Sequence, residues 1–130
     1  MIDHVSLGVR DLARAERFYD AALAPLGYVR LWQSEKWAGY GMPGAADEKL
    51  ALFAEPGAAA AGPGAHLAFT APAPGAVDAF HRAALACGGA DEGAPGPRPR
   101  YGAGYYAAFV RDPDGHKLEA VHHGRADQNS

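Results

Sequence analysis

Cysteine is almost missing from this chain. Cys87 stands alone, so no disulfide can form within the chain, and a reducing compartment, the cytoplasm, is the expected location. No block of basic residues occurs either. Twelve lysines and arginines against fifteen acidic residues leave a net charge of −3, which argues against nucleic acid or anionic membrane as a partner. No apolar run approaches the roughly 20 residues that a membrane-spanning helix requires. The opening stretch "MIDHVSLGVRDL" carries charges inside its first apolar run, unlike a secretory signal. Apolar residues make up 48% of the 130 positions, enough for one domain with a core of its own.

What is present is a pattern that occurs twice. Residues 2–9 alternate apolar and polar and predict a strand, with Val5, Leu7 and Val9 on one face and His4 and Ser6 on the other. Asp11 is a suitable N-cap for a helix whose stripe is Leu12, Ala15, Phe18, Tyr19 and Ala22, and Pro25 and Gly27 end it. Strands are expected over 28–33, 37–42 and 49–54. A Pro/Gly/Ala linker follows, and then "AHLAFTA" (65–71) predicts a strand and "PGAVDAFHRAALACGG" (74–89) a helix. Residues 105–112 and 116–121 read as strands around the turn Asp112-Pro113-Asp114-Gly115.

The two halves superpose. A shift of 62 carries "FYDAALAPLG" onto "FHRAALACGG" and His4 onto His66. Later in the chain a shift of 68 carries Lys49-Leu50 onto Lys117-Leu118, which sets Glu119 opposite Ala51. The predicted organisation is module one over 1–55, a linker over 56–64, module two over 65–123 and a flexible tail over 124–130. Each module reads strand–helix–strand–strand–strand, an α+β fold.

Three segments, "DHVSLGVRDLARAERFYDAAL", "GAHLAFTA" and "AAFVRDPDGHKLEAV", give the chain its resemblance to the vicinal oxygen chelate superfamily, which contains glyoxalase I, extradiol dioxygenases and bleomycin and fosfomycin resistance proteins. The resemblance implies tandem βαβββ modules forming a cupped mixed sheet with helices on the outer face and a divalent metal in the cup. It implies His4, His66 and Glu119 as the metal ligands. Ala51 stands where some members place a fourth, a carboxylate. Two imidazoles and one carboxylate suit Fe(II) and Mn(II), and do not distinguish Fe, Mn, Zn, Ni or Co in this setting.

A lone strand histidine is more often structural than a ligand; equivalence under the repeat, together with Glu119, raises the metal reading. Three functions follow from the resemblance. The first is a glyoxalase-like, metal-dependent lyase or isomerase acting on a small oxygenated substrate. The second is an Fe(II) extradiol-type dioxygenase, although Phe109 stands where that signature has tyrosine. The third is a resistance-type protein that binds a small molecule without catalysis. A homodimer is expected, with the cup closed either within one chain or between two chains.

Trp37, Tyr105 and Phe109 are expected to line the cup, Trp37 through the shift of 68. Arg100 is expected to meet an anionic substrate group from a Pro-rich loop over 91–106. "GYGMPG" (39–44) fits a dinucleotide fingerprint in letters only, because it contains Pro43 and no helix opens there. His116 reads as exposed, and His122 and His123 as part of the tail.

Overall fold

The computed structural model describes residues 1–124. Eight strands and two helices follow the order β1 (Val5–Val9), α1 (Leu12–Leu23), β2 (Val29–Gln33), β3 (Trp37–Gly41), β4 (Leu50–Ala54), β5 (Leu67–Thr70), α2 (Pro74–Ala86), β6 (Ala90–Pro97), β7 (Tyr105–Arg111) and β8 (Lys117–His123). They form two four-stranded sheets, ordered β1-β4-β3-β2 and β5-β8-β7-β6. In each sheet the first strand runs parallel to the last and the other pairings are antiparallel. This is the tandem-module α+β architecture, with no closed barrel.

The helices form where the sequence places the signals for them. The Asp11 side chain accepts a hydrogen bond from the Arg14 backbone N–H at 3.0 Å, capping α1. Ala15, Phe18, Tyr19, Ala22 and Leu23 are buried along one stripe; each large apolar side chain there contributes about 2 kcal/mol. A single tight turn over Ala24–Leu26 and Gly27, at φ +91°, end it. Pro74 starts α2, and Val77, Phe80 and Ala84 face inward. The helices pack against each other, and residues from both halves join one core.

The repeat holds at the level of register. Ser6 pairs with Ala51 in the first sheet, and Ala68 pairs with Glu119 in the second, as the shifts of 62 and 68 require. It fails one strand further in. Ala51 faces Gly39, whereas Glu119 faces Phe109, so β3 maps onto β7 with a shift of 70. The reason is the connection: residues 42–49 join β3 to β4, whereas the shorter 112–116 joins β7 to β8.

Four expectations need correction. The first strand begins at Val5, so His4 precedes it. The 91–106 segment is not one loop, because residues 90–97 form β6, paired with β7. It tolerates Pro95 and Pro97 because it is an edge strand, with irregular register at 91–93 and 93–96. His122 and His123 belong to β8, while residues 125–130 of the expected tail lie outside the described residues. His116 is buried, its Nε2 lying 2.8 Å from the Gly8 carbonyl oxygen.

That histidine belongs to a latch between the halves. Asp112 accepts from the Tyr19 hydroxyl at 2.5 Å and from the backbone N–H groups of Asp114 and His116. Asp114 accepts from the Arg10 backbone N–H at 2.9 Å and from the Arg14 guanidinium at 3.1 Å. Both carboxylates are buried and so depend on these partners. Burial, with Asp112 alongside, pushes the Tyr19 hydroxyl far above its usual range, so it stays a donor.

Candidate metal centre

Period-two alternation sends Leu118 and Ala120 of β8 into the core, and Lys117 and Glu119 to the opposite face. On β7 the same rule sends Tyr106 and Val110 inward, and Tyr105 and Phe109 to the face of Glu119. His66 directly precedes β5, the strand beside β8. Neighbours on both sides cover Glu119, and the residue is only 2% exposed.

A carboxylate so placed needs partners, and it has two. His66 Nε2 lies 2.9 Å from Oε1, and the Tyr105 hydroxyl donates a short hydrogen bond to Oε2. Burial first, and the Glu119 hydrogen bond second, push the Tyr105 hydroxyl up to about 12, which keeps it protonated. The His66 side chain remains 39% exposed, with its ring edge-on to Phe109 at 5.8 Å. The pair opens into a cavity of about 880 Å³ lined by Arg98, Arg100, Tyr101, Tyr105, Phe109 and Lys117 among others.

Of the residues singled out from sequence, His66, Glu119, Arg100, Tyr105 and Phe109 therefore meet in one cavity. His4 and Trp37 do not line it. His4 is 47% exposed, its Nδ1 2.7 Å from Asp3, and that hydrogen bond raises its pKa. The Trp37 ring lies tilted against Phe53, their centres 4.5 Å apart; the shift of 70 makes Ala107, not Tyr105, its counterpart. Sequence reasoning missed two roles. The Tyr105 contact with Glu119 was signalled only by their shared face across the hairpin. Lys117 was signalled by its place two residues before Glu119 in the same alternation.

The donor set meets part of what a divalent ion requires. Two ligand atoms bound at about 2.1 Å and at right angles stand about 3 Å apart, close to the 2.9 Å between His66 Nε2 and Glu119 Oε1. One nitrogen and one oxygen match two of the three ligands of a two-histidine, one-carboxylate site. Among the described residues no three histidine, cysteine, aspartate or glutamate side chains cluster to hold an ion.

The cupped, duplicated sheets and this pair define a class of protein. The sequence pattern of the Glyoxalase/Bleomycin resistance protein/Dioxygenase superfamily matches residues 1–120, and the chain belongs to that superfamily. Among solved structures it is similar to a glyoxalase/bleomycin resistance protein from Albidiferax ferrireducens, at 36% identity and a TM-score of 0.77, covering 92% of this chain and 95% of that one. A glyoxalase-related enzyme from Fulvimarina pelagi shares 26% identity at a TM-score of 0.67, over 92% and 86%. A glyoxalase I mutant from Zea mays shares 27% identity at 0.68, over 92% of this chain and 46% of that longer one. No protein of curated function matches the chain.

Proposed function

We propose that this protein is a glyoxalase-like, metal-dependent lyase or isomerase acting on a small oxygenated substrate. The observation that carries the reading is the buried Glu119, held between His66 and Tyr105 at the wall of an open cavity. His66 and Glu119 would hold a divalent ion (Fe, Mn, Zn, Ni or Co), with His4 of a second copy as third ligand. That completion is supported by His4 standing exposed beside Asp3, apart from the other two. A homodimer built this way has two cups, each incomplete without the other chain.

A bound ion would supply Lewis-acid polarisation of two adjacent substrate oxygens. The chain's own residues do the rest. Tyr105 fixes the Glu119 carboxylate through Oε2, which leaves Oε1 directed at the cavity beside His66 Nε2. Phe109 and Tyr101 form an apolar wall for the organic part of the substrate. Ala51 leaves the other sheet without a carboxylate, so the base for proton transfer is not the one that a fourth ligand would provide.

A second reading, an Fe(II) dioxygenase, is favoured by the ligand types alone, two histidines and one glutamate. Metal analysis of purified protein tests the first reading. About one divalent ion per chain is expected in the wild type and background levels in His66→Ala; equal metal in both would contradict it. Anaerobic Fe(II) loading followed by a catechol separates the second, since a ring-cleaved chromophore would support dioxygenase chemistry. Protein that holds no ion as purified and still binds a small aromatic molecule tightly would favour a sequestering role.

A further inference from the structure

The charges around the cavity do not balance. Of its two carboxylates, Glu119 is held by His66 and Tyr105, and Glu92 pairs at 3.1 Å with Arg111, which is not part of the lining. Of its three fixed cations, Arg98 is engaged. It donates to the backbone carbonyls of Ala94, Gly96 and Pro97 and ties down the irregular edge strand. The other two form no ion pair with a carboxylate among the described residues. Lys117 Nζ stands 5.2 Å from the centre of the Phe109 ring, and the Arg100 guanidinium lies 4.9 Å over Tyr101. Each therefore has an aromatic face for company and N–H groups to spare.

We infer that the ligand of this cavity is a small aromatic organic acid, its ring against Phe109 and its carboxylate met by Lys117, with Arg100 as second cation. This rests on the reading of the cavity as a substrate site, and adds the substrate's charge. The placement of Lys117 is what carries it. Two residues before Glu119 on β8, it projects from the same face, half-buried, beside the Phe109 ring that walls the cavity and that Arg98 also approaches, at 5.7 Å. A neutral ligand would leave both cations partly desolvated without compensation, which costs affinity. An anionic one pairs with them and gains charge-assisted hydrogen bonds.

Benzoylformate and its methyl ester test this. They share a phenyl ring and two adjacent oxygens and differ in one negative charge. In metal-stripped protein, followed by intrinsic fluorescence, the acid should bind about tenfold tighter than the ester. Lys117→Met should remove the preference, Lys117→Arg should keep it, and added salt should weaken it. Equal binding of acid and ester by the wild type overturns the inference. So does a preference undiminished in both Lys117→Met and Arg100→Gln, or no saturation by either compound up to about 10 mM. Metal content before stripping judges the metal reading separately. Ion-free protein that prefers the acid sinks that reading alone, and ion-bound protein indifferent to charge sinks this one alone.

Discussion

Two faces of this molecule share a backbone and differ in chemistry. In the second sheet, Ala68, Glu119 and Phe109 stand abreast on β5, β8 and β7; in the first, Ser6, Ala51 and Gly39 occupy the same row on β1, β4 and β3. Glu119 anchors a polar cluster that opens into a cavity. At Gly39 the corresponding space is taken: a Cβ there would lie 2.3 Å from the Trp32 ring, whose indole N–H donates to Glu48 at 3.3 Å. Duplication copied the hydrogen-bond ladder and not the use of the face. One half carries a carboxylate and its partners, and the other is closed by an indole.

Changes on either side of this comparison should differ in size. The largest effect is expected at the latch. Asp112→Ala strands the Tyr19 hydroxyl and two backbone N–H groups and should cost about 3–4 kcal/mol in urea unfolding. Asp47→Ala, in the exposed connection that replaces this turn in the first half, should cost under about 0.5 kcal/mol. Ala51→Glu would copy the Glu119 carboxylate into a row whose histidine, His4, stands at the His66 position but which has no tyrosine to match Tyr105, losing about 2 kcal/mol. Because Ala51 stands at the fourth-ligand position, the ion should be held more tightly in this variant if the centre joins His4 to His66 and Glu119; unchanged affinity would place Ala51 outside it.

Gly39→Ala should displace Trp32 at a cost of about 1–2 kcal/mol, read together with a shift in tryptophan emission. Tyr105→Phe should cost about 1 kcal/mol of stability and weaken metal binding roughly tenfold by freeing one Glu119 oxygen. Unchanged metal affinity would make the tyrosine merely part of the wall. The smallest effect concerns His4. Its pKa is raised by Asp3, so the contact stabilises the fold below the unfolded-state value and is lost as pH rises through the folded one. Asp3→Asn should lower the titration midpoint of His4 in metal-free protein, as followed by NMR.

The duplication was legible because both helices keep their stripes and both first strands keep a histidine just ahead of them, at positions 4 and 66. What escaped has physical causes. Residues 90–97 contain two prolines and two glycines, which argue against a strand unless it lies at a sheet edge, as β6 does. Trp37 was assigned to the cup because a single shift was carried through a hairpin whose loop lengths differ between the halves. His116 reads as a surface turn residue, since a sequence does not show that the turn is driven against β1 and α1. The repeat matched His66 to His4, and the family resemblance joined Glu119 to them; the hydrogen bond of Glu119 to Tyr105 depended on a register that alternation alone leaves open.

A shared metal centre between two chains is the central claim, and one measurement tests it most directly. His4→Ala and Glu119→Gln are each purified alone and then co-expressed with different affinity tags, and the mixed dimer is isolated for metal analysis. Each variant alone should lack metal. In the mixed dimer one cup joins the intact His4 of one chain to the intact His66 and Glu119 of the other, so about half an ion per chain should return. A mixed dimer as empty as its parents would contradict the account, because a centre built within each chain stays broken in both.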